Sequence, residues 1–256
     1  MSEQKIISGE RPLFDSRGLQ LSDVIFGQGE SALKCSSNIH VEQCRIESRY
    51  AFWECQDIHC QDCCFTGTAR ACSWYGSGHS YESCAIDSPK IFRELDGLTV
   101  RKCRISTAAE SFWRCRNGQI DDVEMNSAEY CFLSASDFVI HRLKEQGNYA
   151  FQYSRNIRIH DSILNTKDAF WESDGCSVYD SVLNGEYLGW YSKGLHLVRC
   201  RISGTQPLCY CKDLVLEDCI FDNSCDRCFE KSQVKGSIIG KVTSVEEPVY
   251  GDIIYK

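Results

Sequence analysis

The stretch Leu98-Thr99-Val100-Arg101-Lys102-Cys103-Arg104-Ile105, followed closely by Glu110-Ser111-Phe112-Trp113-Arg114-Cys115, decides how this chain folds. Leu98, Val100, Cys103 and Ile105 stand at relative positions one, three, six and eight. The step from Leu98 to Val100 is the period of a strand, whose side chains alternate between two faces. The two-residue gap before Cys103 predicts a bend that returns the next side chain to the inner face. The second half is a compact aromatic block closed by a cysteine.

The first half recurs along nearly the whole chain. It appears as Leu19-Leu21-Val24-Phe26, Ile39-Val41-Cys44-Ile46, Ile58-Cys60-Cys63-Phe65 and His79-Tyr81-Cys84-Ile86. Later copies are Ile157-Ile159-Ser162-Leu164, Cys176-Val178-Ser181-Leu183, Leu195-Leu197-Cys200-Ile202 and Leu214-Leu216-Cys219-Phe221. Blurred copies lie around Ile120-Val123-Met125 and Phe138-Ile140-Leu143. A spacing of about 19 to 21 residues is a solenoid period. The leucine frame and asparagine of leucine-rich repeats are missing, and no helical pattern lies between the copies. The expected fold is therefore all-β: a right-handed parallel β-helix of about eleven coils. It would form a single domain over 1–256. Residues 1–18 would be an N-terminal cap, with Ile6-Ile7 and Pro12-Leu13-Phe14 in a partial turn, followed by coils over 19–232. A C-terminal strand and cap would occupy 233–256, closed by Ile253-Ile254-Tyr255.

Charge and composition narrow the function. The net charge is -8 and the basic residues are scattered, which argues against a nucleic-acid partner. No run approaches the roughly 20 apolar residues of a membrane span. Met1-Ser2-Glu3-Gln4-Lys5 lacks the apolar core of a signal peptide, so the expected location is cytoplasmic. The chain has eighteen cysteines. Cys44, Cys63, Cys84, Cys103, Cys200 and Cys219 fall at the sixth repeat position, where Ser162 and Ser181 substitute. Cys55, Cys115 and Cys211, with Ser154, Ser173 and Ser192, close the aromatic block. Small, burial-tolerant cysteines suit ladders of equivalent residues inside the cylinder. The zinc-like spacings of Cys60-Gln61-Asp62-Cys63 and Cys225-Asp226-Arg227-Cys228 are read the same way, and no metal or other cofactor is expected.

The block itself reads Tyr50-Ala51-Phe52-Trp53-Glu54-Cys55, then Tyr149-Ala150-Phe151-Gln152-Tyr153-Ser154. It returns as Asp168-Ala169-Phe170-Trp171-Glu172-Ser173 and Tyr187-Leu188-Gly189-Trp190-Tyr191-Ser192. Adjacent Phe and Trp columns cannot both point inward on a regular strand. If the closing Cys or Ser and the small Ala share the inner face, Trp lies inside and Phe outside. A bulge reverses that assignment, and both arrangements stay open. The position opening the block runs Glu30, Tyr50, Arg70, Lys90 and Glu110. It resumes, after Glu129 or Tyr130, as Tyr149, Asp168, Tyr187, Gln206 and Asp226. Such a strip is either a charge-neutralising ladder or an acidic, basic and aromatic groove suited to sugar rings.

The blocks Glu10-Arg11-Pro12-Leu13-Phe14, Gly29-Glu30-Ser31-Ala32-Leu33-Lys34, Ala69-Arg70-Ala71-Cys72-Ser73-Trp74-Tyr75 and Ser88-Pro89-Lys90-Ile91-Phe92-Arg93 resemble those of one β-helix family. So do Gly147-Asn148-Tyr149-Ala150-Phe151, Lys167-Asp168-Ala169-Phe170-Trp171, Gly185-Glu186-Tyr187-Leu188-Gly189-Trp190 and Gln206-Pro207-Leu208-Cys209-Tyr210. That family is a domain of unknown function in the wider pectin-lyase-like group. The resemblance spans essentially the whole chain and implies the fold, with no established activity. Ala32 stands where the family pattern suggests proline, and Ser111 where a bulkier residue is expected.

Two functional classes follow. A carbohydrate-active hydrolase needs two carboxyl groups roughly 5 to 10 Å apart. Glu110, Asp168 and Glu186 are the candidates, the last two on adjacent coils. A lyase needs a base near Lys90, Arg70 or Arg93. Trp74, Tyr149, Tyr187 and Trp190, with Arg93, are the candidate substrate-binding residues for an oligosaccharide. The aspartate clusters of polygalacturonases and the calcium-binding set of pectate lyases are both missing. The alternative class is a non-enzymatic scaffold or partner-binding β-helix. Nothing in the sequence specifies an oligomeric state.

Overall fold

A computed structural model describes residues 5–256, and among the described residues every regular element is a strand. The fold is the all-β parallel β-solenoid expected from the repeat, with roughly a dozen turns. The chain divides into two compact units, residues 1–128 and 129–256.

In the first unit, Gln20–Ser22 pairs in parallel with Ser37–Glu42, and that strand with Gln56–Gln61. The ladder continues through Ser77–Glu82 and Asp96–Arg101 to Arg116–Glu129. In the second unit, Ser136–Asn148 pairs with Arg155–His160 and Ile163–Lys167. The same pattern runs on to Leu214–Phe221, Gln233–Ile238 and Tyr250–Tyr255. Register follows the repeat, so Ile39 faces Ile58 and Leu164 faces Leu183. Inward positions thus stack apolar on apolar, each fully buried Leu, Ile or Phe contributing about 1.5–3 kcal/mol.

The two-residue gap before the sixth position ends in one left-handed residue. Gln43, Asp62, Ser83, Lys102, Asp161, Asp180, Arg199 and Asp218 all have φ between 49° and 55°. Asp is frequent there because its short polar side chain tolerates this region better than most. The kink interrupts the ladder and turns the next side chain inward. That side chain then serves the backbone: the Val24 N–H donates to Cys44 Sγ at 3.4 Å, and the Cys84 N–H to Cys103 Sγ at 3.4 Å. The Leu143 and Ser162 N–H groups donate in the same way to Ser162 Oγ and Ser181 Oγ, both at 3.0 Å. Cys and Ser interchange here because each is small and carries an acceptor and a donor. The thiols donate in turn to the coil before, as from Cys63 to Val41 O at 3.3 Å and from Cys219 to Leu197 O at 3.3 Å.

All eighteen cysteines are free thiols; Cys64 is exposed, Cys35 half-buried and every other one buried. Burial pushes the Cys55, Cys115 and Cys211 thiols up to about 12. A thiol reagent is therefore expected to modify Cys64 and Cys35 quickly in the native protein and the others only after denaturation. Rapid native-state reaction of all of them would contradict this packing.

The aromatic block holds a two-residue strand in early coils, Phe52–Trp53 and Phe92–Arg93, and becomes a run of turns in later ones. Glu110, Phe112 and Arg114 have φ of 52°, 60° and 52°, every second residue being left-handed; Asp168, Phe170 and Glu172 repeat this at 53°, 60° and 51°. The Ser111 N–H donates to Ala108 O at 3.0 Å and the Ser173 N–H to Phe170 O at 3.1 Å, closing tight turns. Two successive side chains can then face the core, and Ala169 and Phe170 are both buried. Of the two open arrangements, Phe is inside and Trp outside, both where the backbone turns at Phe112 and Phe170 and in the short strand Phe52–Trp53. Phe52, Phe112, Phe151 and Phe170 are fully buried, while Trp53, Trp113 and Trp171 are half-exposed.

At the N-terminal end, Lys5–Glu10 is a full strand paired with Val24–Glu30 rather than a partial turn, and Ile6 and Phe14 stay exposed. At the other end, Ile253, Ile254 and Tyr255 lie in the strand paired with Gln233–Ile238.

Candidate functional site

In the first unit the half-exposed Trp column is interleaved with cations. Lys34 Nζ sits 4.6 Å from the Trp53 ring centre, and Trp53 and Trp74 stack at 5.8 Å and 18°. The Arg93 guanidinium lies between Trp74 and Trp113, at 5.3 Å and 4.6 Å. Cation–π contacts of this kind are worth about 0.5–1 kcal/mol each when exposed. Glu110 accepts from Lys90 at 2.7 Å and from Arg93 at 3.2 Å. Burial alone would raise the Glu110 carboxyl, but these two hydrogen bonds, with the charges behind them, hold it below the usual range. That makes it a poor proton donor near neutrality. Arg70 is exposed on the intervening coil, where its carbonyl accepts from the Tyr50 N–H at 3.3 Å.

The second unit holds the other candidates. Asp168 and Glu186 lie on adjacent coils, the Asp168 N–H donating to Glu186 O at 2.8 Å. Burial raises the Asp168 carboxyl; Lys167 opposes that shift and Glu186 adds to it. Lys167 sits 5.2 Å from the Tyr149 ring, which stacks on Tyr130 at 4.6 Å. Tyr187 meets Trp190 edge-on at 5.1 Å and 72°, and Trp190 meets Tyr210 at 5.3 Å and 73°. The Trp190 indole N–H donates to Gln206 O at 2.7 Å, fixing the ring. Tyr191 and Tyr210 stack at 4.8 Å, and Tyr191 is 48 % exposed.

The structure thus gathers Lys90, Arg93, Glu110 and Trp74 into one cluster, and Asp168, Glu186, Tyr187 and Trp190 onto neighbouring coils of the other unit. The aromatic rings do not make a continuous flat floor. Tyr130–Tyr149, Trp53–Trp74 and Tyr191–Tyr210 cover one another's faces along the column. Steep interplanar angles break the stack around Trp190, and at Tyr50, which meets Trp53 edge-on at 5.3 Å and 64°.

Two features escaped the repeat reading. Glu145 lies fully inside the core, and a groove of about 370 Å³ opens on the outer sheet face over His40 and His59. The nineteen-residue spacing of His40 and His59 was the available signal for the groove.

Parallel coils stacked around a buried core define the chain as a parallel β-solenoid. It belongs to the family described as Protein of unknown function (DUF3737), whose profile matches residues 1–256. Solved structures similar to it include a PL6 alginate lyase in complex with a trisaccharide, at 9% identity and a TM-score of 0.46. That match covers 95% of this chain and 87% of the other. The surface adhesin PfbA of Streptococcus pneumoniae matches at 8% identity and a TM-score of 0.44, covering 94% of this chain and 71% of that one. The pentapeptide-repeat protein HetL of a Nostoc cyanobacterium matches at 8% identity and a TM-score of 0.28, covering 95% and 89%. None of the curated proteins matches the chain.

Proposed function

We propose that the chain binds a soluble oligosaccharide on the acidic and aromatic face of its second unit. The observation that carries this reading is the Asp168–Glu186 step beside Tyr187 and Trp190, where a carboxyl raised by burial meets rings with fixed, steeply inclined planes. Sugars are held by this combination of apolar ring contact and a few oriented polar groups. If the face is catalytic, Asp168 is the proton donor of a glycoside hydrolase and Glu186 its partner carboxylate. Lys90, Arg70 and Arg93 would serve a lyase only by neutralising a substrate carboxylate, and Glu110 already occupies two of them. Sixteen-fold repetition of buried free thiols is not needed for sugar binding; it supports a ladder of reduced cysteines and a cytoplasmic, reducing location.

A scaffold role is favoured by one specific observation: most rings on the strip already cover each other. The two readings part in a glycan-array screen followed by tryptophan fluorescence titration. Trp190→Ala and Asp168→Asn are each expected to weaken binding of the best oligosaccharide by roughly tenfold. Absence of binding across neutral and acidic oligosaccharides would leave the scaffold reading in place.

A further inference from the structure

The first unit carries a second polar surface, unlike the aromatic strip in both position and chemistry. Gln20, His40, His59 and Ser80 face one another in register on four successive strands, all pointing away from the core. Glu42, Gln61 and Glu82 form the next outward column on the same strands. Together they line the groove of about 370 Å³, within the size range of small-molecule sites.

The groove is ordered from below. The His40 and His59 rings stack at 4.7 Å and 23°, and His59 Nδ1 is hydrogen-bonded to Ser80 Oγ at 2.7 Å. Burial, then the neighbouring His40, lowers the His59 pKa, so this imidazole is neutral near pH 7. Neither Lys nor Arg lines the groove. Lys102 reaches Glu82 from the next coil at 3.3 Å, and among the described residues no cation pairs with Glu42. Glu42 and Glu82 are two coils apart in one column, about 10 Å at the spacing of parallel strands. The result is a net-negative floor of carboxylates, amides and imidazoles. Such a surface hydrogen-bonds hydroxyl groups in both senses, attracts ammonium groups and repels carboxylated sugars.

We propose that this groove is a binding site for an amino-sugar oligomer, a hydroxyl-rich ligand carrying protonated amines that engage Glu42 and Glu82. Gln61 and the His40–His59 pair hold the hydroxyls between them. The site lies wholly in the first unit, so it stands or falls separately from the face around Trp190.

Isothermal titration calorimetry of the full chain at pH 7 and physiological salt tests it with three probes: a glucosamine tetramer, its fully N-acetylated form and spermidine. The glucosamine tetramer is expected to bind saturably, and the acetylated form at least fivefold more weakly because its amines carry no charge. Glu42→Gln, on an exposed side chain whose loss leaves the core untouched, should weaken the tetramer roughly fivefold or more. No saturable binding of the tetramer overturns the proposal, as does equal binding of the acetylated form. Spermidine binding as tight as the tetramer would overturn it too, by showing that charge alone is recognised.

Discussion

Replacing Glu145 by methionine is expected to stabilise the protein at pH 7 by about 2 kcal/mol and to raise its melting temperature by roughly 5 °C. Glu145 is 1 % exposed in Ser136–Asn148 and faces Leu164 across the ladder, at a position that Leu183 and Ile202 fill on later coils. Both its carboxyl oxygens are without a hydrogen-bond partner among the described residues. Burial, then the neighbouring Glu129, pushes its pKa well above the carboxylate range. The native state therefore keeps a proton that the unfolded chain releases, and folding binds protons between the ordinary value and the raised one. Stability is fully present below the ordinary carboxylate pKa and falls as pH rises through the folded value, by up to about 1.4 kcal/mol per pH unit. Methionine keeps the length of the side chain and removes both the unpaired polar atoms and this slope. Glu145→Gln should flatten the pH dependence with a smaller gain, since its amide stays buried. Denaturant titrations of the three proteins between pH 5 and 8 measure both effects. A methionine variant less stable than the parent would mean that the carboxyl has a favourable role in the core.

The coils were legible in the sequence because their first half obeys strand rules. Leu98, Val100, Cys103 and Ile105 point inward as their spacing says, and Lys102 supplies the bend in the gap. The Cys and Ser alternation marked an inner slot, although its reason, an acceptor for a backbone N–H freed by the kink, needed coordinates. The second half was not legible to the same depth. In the later coils a left-handed residue at every second position makes it a chain of tight turns, and nothing in Asp168-Ala169-Phe170-Trp171 announces that Phe170 takes φ of 60°. Site residues suffered from the same gap. Position in the repeat found Glu110 and Asp168, but not that Glu110 is held as a carboxylate by Lys90 and Arg93 while Asp168 is raised. Glu145 is hidden because the blurred copy Phe138-Ile140-Leu143 carries an acid where other copies carry an apolar residue. One more step of two reaches the interior carboxyl.

Truncating the inner aromatic column should cost far more than truncating the outer one. Phe151 is sandwiched between Phe132 at 4.6 Å and Phe170 at 5.0 Å, all three fully buried with planes within 12° of parallel. Phe151→Ala removes a ring whose faces are covered on both sides and leaves a cavity that neighbouring coils cannot close, since strand spacing fixes their separation. A loss of about 3–5 kcal/mol follows from the removed apolar surface and the residual cavity. Trp171 is the larger side chain, but it stands half-exposed beside Trp190 and Tyr191, its indole N–H reaching Glu172 at 3.4 Å. Trp171→Ala should therefore cost only about 1 kcal/mol, the worth of one exposed aromatic contact. Urea titration of the two variants under identical conditions compares them directly. Equal losses, or a greater loss for Trp171→Ala, would place the stabilising column on the outside of the solenoid. The face around Trp190 would then be a structural seam, with no ring free to meet a ligand.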